Sequence, residues 1–595
     1  MKERWIEHAK KADFEAWSQA LGVSPLTARI LKNRGIDSVE EARSFLYATV
    51  KDLPDPDCYR EFSEAADLIE AALRSRKRIA VATDFDTDGI FAGQILSEGL
   101  ETLGGTVFLF APNRLREGYG LNRRIVGDAL EAGCGLLITC DNGIAASDAV
   151  AYAKERGLQV LVTDHHEVPF EERDGGRTYL LPPADRILDL KCPGAAYPYR
   201  EYCGAGVVLR LVEVLYRRFG IPAEKLNELY EYAAVATIAD IVELTGENRI
   251  LVKEGLKRLR RTEKVPFRAL FETLELEPEQ IGVYHISFII APCFNAVGRL
   301  ADVRYAFDFL KERDYAAALR QAEEIRSLNE LRKEMTETGY QTAEEVLEKE
   351  GRSGDRVIVA VLPGVHESVV GIIAGRLKEK YHRPVFVLTE SEEEGILKGS
   401  GRSIAGYHMA DELMAVRSML VRCGGHAMAA GLSIEKAKVE AFREALNQNC
   451  RLTEKELTPV VEIDARAPLA YMSIAFAEEL ELLEPFGVGN PHPLFARPDF
   501  ELESLRVLGK NGNVLRMRLS DGTAKTDAVY FGDPETVFAE IRAEGGEAAM
   551  QRLLSGLSAN VRLAFTYDAS VEEFRGEKRV RIVCRNCCRI PKKQV

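Results

Sequence analysis

The first constraints come from what these 595 residues lack. No run approaches ~18 uninterrupted apolar residues, the length that a membrane-crossing helix requires. The opening Met1–Lys11 (MKERWIEHAKK) has no apolar core of the signal-peptide kind. A cytoplasmic location without a membrane partner is therefore the expectation. Positive charge is not in excess either: 79 Lys and Arg against 93 Asp and Glu leave a net charge of −14. That disfavours a protein that merely coats nucleic acid. An enzyme escapes this exclusion, because metal ions supply positive charge and a local basic groove coexists with an acidic exterior. The eleven cysteines do not form the even framework of a short secreted chain and read as reduced thiols. Cys584 and Cys587, with Cys588 beside them, form a CxxC with no second CxxC nearby, so a four-ligand zinc site is not completed. Internal repeats and low-complexity segments are missing as well.

What is present describes a globular chain, 46% hydrophobic and 29% charged, too long for one core. Residues 1–75 read as an N-terminal helical segment, with helical spacing over Leu26–Arg34 and Val39–Leu46. From Ile79 short apolar runs alternate with helical stretches: Ile79–Thr83, Val107–Ala111, Leu136–Cys140 and Gln159–Thr163. Strand-length runs separated by room for a crossover helix predict an α/β fold with a parallel sheet, covered on both faces. This catalytic domain is placed at 76–314. Tyr315–Glu350 contains no proline and one glycine, with apolar residues at helical intervals, and reads as a connecting helix. Gly351–Asp355 is a linker into a second α/β domain, 351–455. Alternating segments such as Leu515–Leu519, Thr526–Phe531 and Val561–Tyr567 predict a small β-barrel over 456–595.

Three of the four predicted strands run into acidic residues. Ile79–Thr83 leads to Asp84-Phe85-Asp86-Thr87-Asp88-Gly89, Leu136–Cys140 to Asp141-Asn142-Gly143, and Gln159–Thr163 to Asp164-His165-His166. Ligands of an open parallel sheet gather outside the carboxyl ends of its strands, so the three tips should meet at one edge. Clustered carboxylates cannot all stay ionised without a compensating charge. Asp oxygen and His nitrogen together suit Mn²⁺, and the oxygens suit Mg²⁺. Two such ions activate water and hold phosphoryl oxygens for in-line attack. Taken singly, each Asp is an ordinary turn former or helix N-cap. The DxDxDG run also opens like a calcium loop, but loop position 12 is Ile95 instead of the expected Glu. The convergence favours a metal site.

At these residues the chain resembles the DHH phosphoesterases. VATDFDTDGI, TCDNGI and VTDHHEVP are similar to their first three motifs and ATIADIVELTGENR to the fourth. The resemblance implies metal ligands at Asp84, Asp86, Asp141, His165, His166 and Asp240, with Asp86, Asp141, His165 and His166 catalytic. It assigns supporting roles to Asp88 and Asp164, and Mn²⁺ or Mg²⁺ as two bound ions.

Further segments narrow the likeness to the RecJ exonucleases within that superfamily. These are APNRLREGYGLN, YPYREYCGAGVVLRL, APCFNAVGRL, the DHHA1-like GSGRS and GGHAMAAG, and ELLEPFGVGNPHPLF before the barrel. Substrate contacts implied by this resemblance are Arg114, Asn295, Arg299, Ser400, Arg402 and His426. In the OB-like barrel, Arg506, Lys510, Arg516 and Arg518 are candidates for a basic single-strand groove. The likeness implies 5′→3′ degradation of single-stranded DNA to 5′-mononucleotides in repair and recombination. A single-strand-binding protein and a repair helicase are the implied partners. The rival readings are a DHH hydrolase of short RNA or cyclic dinucleotides, disfavoured by the barrel, and a non-catalytic scaffold, disfavoured by six intact ligands. Departures from the family pattern are Thr83 for Gly, Cys293 for Arg and Asn513 for His. His285 and His382 read as packing or surface residues.

Overall fold

A computed structural model describes residues 3–114, 117–173, 176–509 and 512–589; Lys510 lies outside them. The chain forms two compact units. One comprises Leu53–Val242 and Leu251–Pro459; the other comprises Glu3–Asp52, Glu243–Ile250 and the chain from Val460.

The first unit opens on β1 (Arg78–Thr83), followed by α1 (Thr87–Thr102), β2 (Thr106–Phe110), β3 (Cys134–Cys140), β4 (Gln159–Thr163) and β5 (Arg186–Leu188). These strands form one parallel sheet in the order β2-β1-β3-β4-β5. β1, β3 and β4 are thus adjacent, and the three acidic tips emerge side by side as their spacing predicts. Ala80, Ala82, Leu137, Val160 and Val162 pack on one face against Ile125, Val126, Val150 and Ala153 of two crossover helices. On the other side α1 packs against α2 (Gly204–Arg218) and α3 (Tyr230–Ala239). Strands buried on both faces explain why each reads as a continuous apolar run.

Downstream come α4 (Ala291–Leu300) and α5 (Tyr315–Glu350), the expected long helix. Asp314 caps the start of α5 by accepting from Ala317 N–H, and Gly351 ends it in the left-handed region at φ 66°. A second, mixed sheet follows, built from β6 (Ile358–Val361), β7 (Val385–Glu390), β8 (Ile396–Arg402), β9 (Leu420–Gly425) and β10 (Ala429–Glu435). Its order is β9-β10-β8-β7-β6, and only β6 and β7 are parallel. α6 (Glu367–Tyr381) buries Ile373, Ala374 and Leu377 against β6 and β7.

In the second unit, strands Phe495–Leu508, Val514–Ser520, Lys525–Phe531, Glu577–Arg589 and Arg562–Phe574 pair in that order. The last returns to pair with the first, closing a five-stranded OB-like barrel. The first fifty residues share this unit. Trp17, Leu21, Ile30 and Leu31 lie in one core with Phe495, Leu515 and Phe565. A strand at Arg4–Glu7, absent from the helical expectation, pairs parallel with Val460–Ile463. Buried Arg249 stacks 3.9 Å over the Phe45 ring and donates to the carbonyls of Phe45, Leu482 and Leu483. A stacked, fully bonded guanidinium of this kind is a structural clamp.

Candidate metal centre

The site is built from strand ends. Asp84 directly follows β1 and is buried. Two residues on, Asp86 is the N-cap of α1 and accepts from Gly89 N–H at 3.1 Å. The ordinary N-cap role and a ligand role coexist here, because a carboxylate has about four acceptor sites. Gly89 has to be glycine, since an added Cβ would lie 2.8 Å from the Asp84 backbone nitrogen.

Asp141 leaves β3 in the left-handed region, φ 62°, which directs the chain sharply off the strand. Asn142 fixes that turn. Its Nδ2 donates to the carbonyls of Ala82 and Cys140, and its Oδ1 accepts from Leu121 N–H. After β4, Asp164 accepts from the backbone N–H groups of Ile144 and His165 and lies 2.8 Å from His166 Nδ1. Such a carboxylate orients the imidazole, whose Nε2 lies 3.3 Å from Tyr119 Oη. Asp240, the C-cap of α3, completes the ring.

These side chains converge closely. Asp84, Asp86 and Asp141 place one oxygen each within 4.8 Å of one another, as do the ligand atoms of Asp141, His165 and His166, and of Asp88, His165 and Asp240. His165 Nε2 lies 3.0 Å from Asp141 Oδ1 and 3.7 Å from both Asp88 Oδ2 and Asp240 Oδ2. The short His165–Asp141 approach lacks hydrogen-bond alignment. Among the described residues, His165 Nε2, Asp141 Oδ1 and Asp84 Oδ1 are buried atoms without a hydrogen-bond partner. Unpaired buried polar atoms are costly, and atoms of this type facing one another are what a bound cation satisfies.

Electrostatics point the same way. Burial, then the neighbouring carboxylates, hold Asp84, Asp141 and Asp240 well above the usual carboxyl range. Burial and Asp86 push Asp88 up to about 6. Burial and the neighbouring His166 push His165 down to about 3. Burial opposes protonation of His166 too, but its bond to Asp164 outweighs this and raises it. A buried neutral imidazole and oxygens in need of countercharge fit Mn²⁺ or Mg²⁺.

Asp88 also braces two helices. Its two oxygens accept from Gly204 and Ala205 N–H at 2.6 and 2.8 Å, tying α1 to the amino end of α2. Of the expected substrate contacts, Asn295 is half-buried beside the first motif. Its Oδ1 accepts from the Thr87 backbone and hydroxyl, so it braces the first motif. Arg299 donates to the Ser368 carbonyl at 2.6 Å, joining α4 to the start of α6. Arg402 donates to Ser400 Oγ and Gly401 O. Arg114 stacks 4.6 Å over Phe85 of the first motif. Burial, and after it repulsion from Arg114 and Arg402, brings Arg299 down to about 9. These guanidinium groups therefore form one cationic cluster. Arg114 and Ser400 line a cleft of about 560 Å³ with Glu367, Lys398 and Gly424. His426 lines a second cleft, of about 620 Å³, with Tyr119, Asp164 and His166.

Tyr119 and Asn142 went unassigned in the sequence although both lie in motif segments. Tyr119 Oη donates to Asp141 O at 2.6 Å and lies 3.2 Å from His166 Nδ1. Of the departures, Thr83 fits because Gly93 opposite it has no Cβ to meet its methyl group. Cys293 is buried and accepts from Asn329 Nδ2. Asn513 O accepts from Gly532 N–H. In the barrel, Arg516 and Arg518 both pair with Asp527, at 2.8 and 3.1 Å, and Arg506 stands opposite Arg516 in register. The expected basic groove is therefore partly neutralised by its own strand neighbour.

The chain matches the DHH family N-terminal domain over residues 78–238, the DHHA1 domain over 354–452 and the RecJ OB domain over 463–586. It is 33% identical over 591 residues to the single-stranded-DNA-specific exonuclease RecJ of Bacillus subtilis (strain 168), covering 98% of this chain and 71% of that relative. Against the same exonuclease of Salmonella typhimurium the identity is 33%, covering 98% and 99%. The crystal structure of RecJ in complex with Mn²⁺ from Thermus thermophilus superposes with a TM-score of 0.79 at 29% identity, covering 99% of this chain and 80% of that one. Its Mg²⁺ complex gives 0.73 at 26%, covering 99% and 79%. With all three domains matched in order and relatives aligned along nearly its whole length, the chain belongs to the RecJ family of single-stranded-DNA-specific exonucleases.

Proposed function

We infer that this protein degrades single-stranded DNA from the 5′ end, releasing 5′-mononucleotides by hydrolysis at a pair of Mn²⁺ or Mg²⁺ ions. The observation that carries this reading is the set of buried, unpaired ligand atoms of Asp84, Asp141 and His165 at adjoining strand ends. Asp84, Asp86, Asp141, His165, His166 and Asp240 hold the metals. Such ions, when bound, activate water and neutralise the phosphoryl oxygens.

The protein's own groups do the rest. Asp164 fixes the His166 ring, Asp88 fixes α1 against α2, and Asn295 holds the turn that carries Asp86. Polarity requires a feature that grips one terminus. The cluster of Arg114, Arg299 and Arg402 beside Ser400 supplies it, since a guanidinium holds a terminal phosphate with two parallel hydrogen bonds. His426 lines the same cleft as His166, and in this reading it contacts the nucleotide being cut. The barrel extends the strand-binding surface. Work in repair and recombination in the cytoplasm, beside a single-strand-binding protein and a helicase, follows from the family likeness.

The test uses DNA and RNA strands labelled at either end, incubated with Mg²⁺ or Mn²⁺. The expected result is immediate release of a labelled mononucleotide from 5′-labelled DNA and a descending ladder from 3′-labelled DNA. Initial release from the 3′ end, or preference for RNA, overturns the reading.

A further inference from the structure

Ahead of α4 the chain is already helical: Val283–His285 leads through a π-helical turn, Ile286–Ile290, into Ala291–Leu300. Ile286, Ile290, Phe294 and Val297 bury one face of this stretch completely. The residues left accessible on the other face include Tyr284, Phe288, Pro292, Asn295 and Arg299. Steps of four, four, three and four place these on one stripe.

The stripe ends in two aromatic rings that stay largely exposed. Tyr284 is 64% and Phe288 66% exposed, with ring centroids 5.1 Å apart and planes tilted by 36°. Packing does not account for them, because the opposite face already supplies the core. Position along the helix does suggest a role. Arg299, bonded to Ser368, marks the cationic cluster, and Asn295, bonded to Thr87, marks the metal centre. Phe288 and Tyr284 follow about 10 and 16 Å beyond Asn295 at ~1.5 Å per residue. The order is terminus grip, metal centre, aromatic pair.

Cations accompany the stripe despite the net charge of −14. Arg260 donates to Ile281 O at its head. Farther along, Arg332 on α5 bonds to Asn329, and its charge acts on Arg299 at the far end of the stripe. Aromatic faces beside a run of cations are the equipment of a sequence-tolerant single-strand site, and π-helical turns concentrate at functional positions.

We propose that Tyr284 and Phe288 form a base-stacking subsite for the uncut part of the single strand, with Arg260 and Arg332 along its phosphates. This rests on the strand-cleaving reading of the metal centre. The subsite holds the strand in line as successive nucleotides reach the metals.

The experiment compares wild type with the Tyr284→Ala/Phe288→Ala double variant and with Phe288→Trp. Binding of a single strand of about twenty nucleotides is followed by anisotropy in EDTA, so that it does not depend on catalysis. Hydrolysis of the same strand and of a 5′-phosphorylated dinucleotide is then followed with Mn²⁺. Stacking of one or two bases predicts about five- to hundredfold weaker binding by the double variant. The rise in KM should be much larger for the long strand than for the dinucleotide, and Phe288→Trp should keep or improve affinity. Unchanged long-strand affinity overturns the proposal. So does an equal loss on both substrates, or a change of sedimentation alone, which would make the pair a protein contact. If wild type binds the strand through these rings yet cuts nothing, the subsite stands and the reading of the metal centre fails.

Discussion

Asp141 shows how backbone and charge combine at one residue. Its left-handed φ of 62° suits Asp and Asn better than other side chains, which cost about 1–2 kcal/mol there. Its carboxyl, with those of Asp84, Asp88 and Asp240, keeps a proton in the metal-free protein to a higher pH than in the unfolded chain. The sign follows from linkage. Between about pH 4 and the raised values, near 6 for Asp88, the folded state binds more protons than the unfolded one. The stability owed to these groups is therefore present at low pH and is lost as pH rises through that window. A divalent ion replaces those protons, so the Mn²⁺-induced rise in Tm should be larger at pH 7.5 than at pH 5. Equal shifts at the two values would show that these carboxyls do not take the metal. Arg402 makes a second residue-scale prediction. Loss of ~1.5–3 kcal/mol of charge-assisted bonding in Arg402→Ala should slow single-turnover cleavage of 5′-phosphorylated strands by about one to two orders of magnitude. Strands ending in a 5′-hydroxyl should lose less, and an equal loss on both would make Arg402 a general positioning residue. The convergence of Asp84, Asp86, Asp141, His165 and His166 was legible in the sequence because each follows an apolar run at a strand end, whereas Asp240, at a helix end, was marked only by the family likeness. Tyr119 was not, since a hydroxyl that binds a distant carbonyl leaves no trace in spacing.

At the scale of elements, α4 rests directly on the first motif. An added Cβ on Gly298 would come within 1.9 Å of Phe85 O. Gly298→Ala must therefore push α4 away from the turn that carries Asp86, or distort it. Overpacking of this kind costs about 1–3 kcal/mol, and a displacement near 1 Å at the site lowers activity by about tenfold to a hundredfold. Thermal unfolding and turnover of the purified variant check both, and wild-type values for each would mean that the helix is free to move. Periodicity made most elements readable, because β1, β3, β4 and α5 keep one period along their length. Pairings across elements were not. Asn295, read from the family likeness as a substrate contact, also accepts from Thr87, and Arg516 and Arg518, candidates for a strand-binding groove, also meet Asp527. In each case the deciding partner lies on another strand or helix, and register is not written in either segment alone.

For the whole molecule, the least legible feature is the sharing of one core by both ends of the chain. Arg4–Glu7 pairs with Val460–Ile463, and Trp17 packs in the barrel's cluster. No local pattern specifies a contact at that separation. A protease site engineered near Asp55 should accordingly give an N-terminal fragment that stays with the rest of the chain through gel filtration. Its release would contradict the shared core. The central claim concerns the metal centre. Asp141→Asn keeps a side chain that tolerates the left-handed turn while removing the ligand charge, so it separates chemistry from folding. The decisive measurement is the rate of mononucleotide release from 5′-phosphorylated single-stranded DNA in Mn²⁺, for wild type and Asp141→Asn, alongside strand affinity. The account predicts a rate at least about a thousandfold lower, equivalent to ~4 kcal/mol of lost transition-state stabilisation, with affinity retained. Release within tenfold of wild type would contradict it.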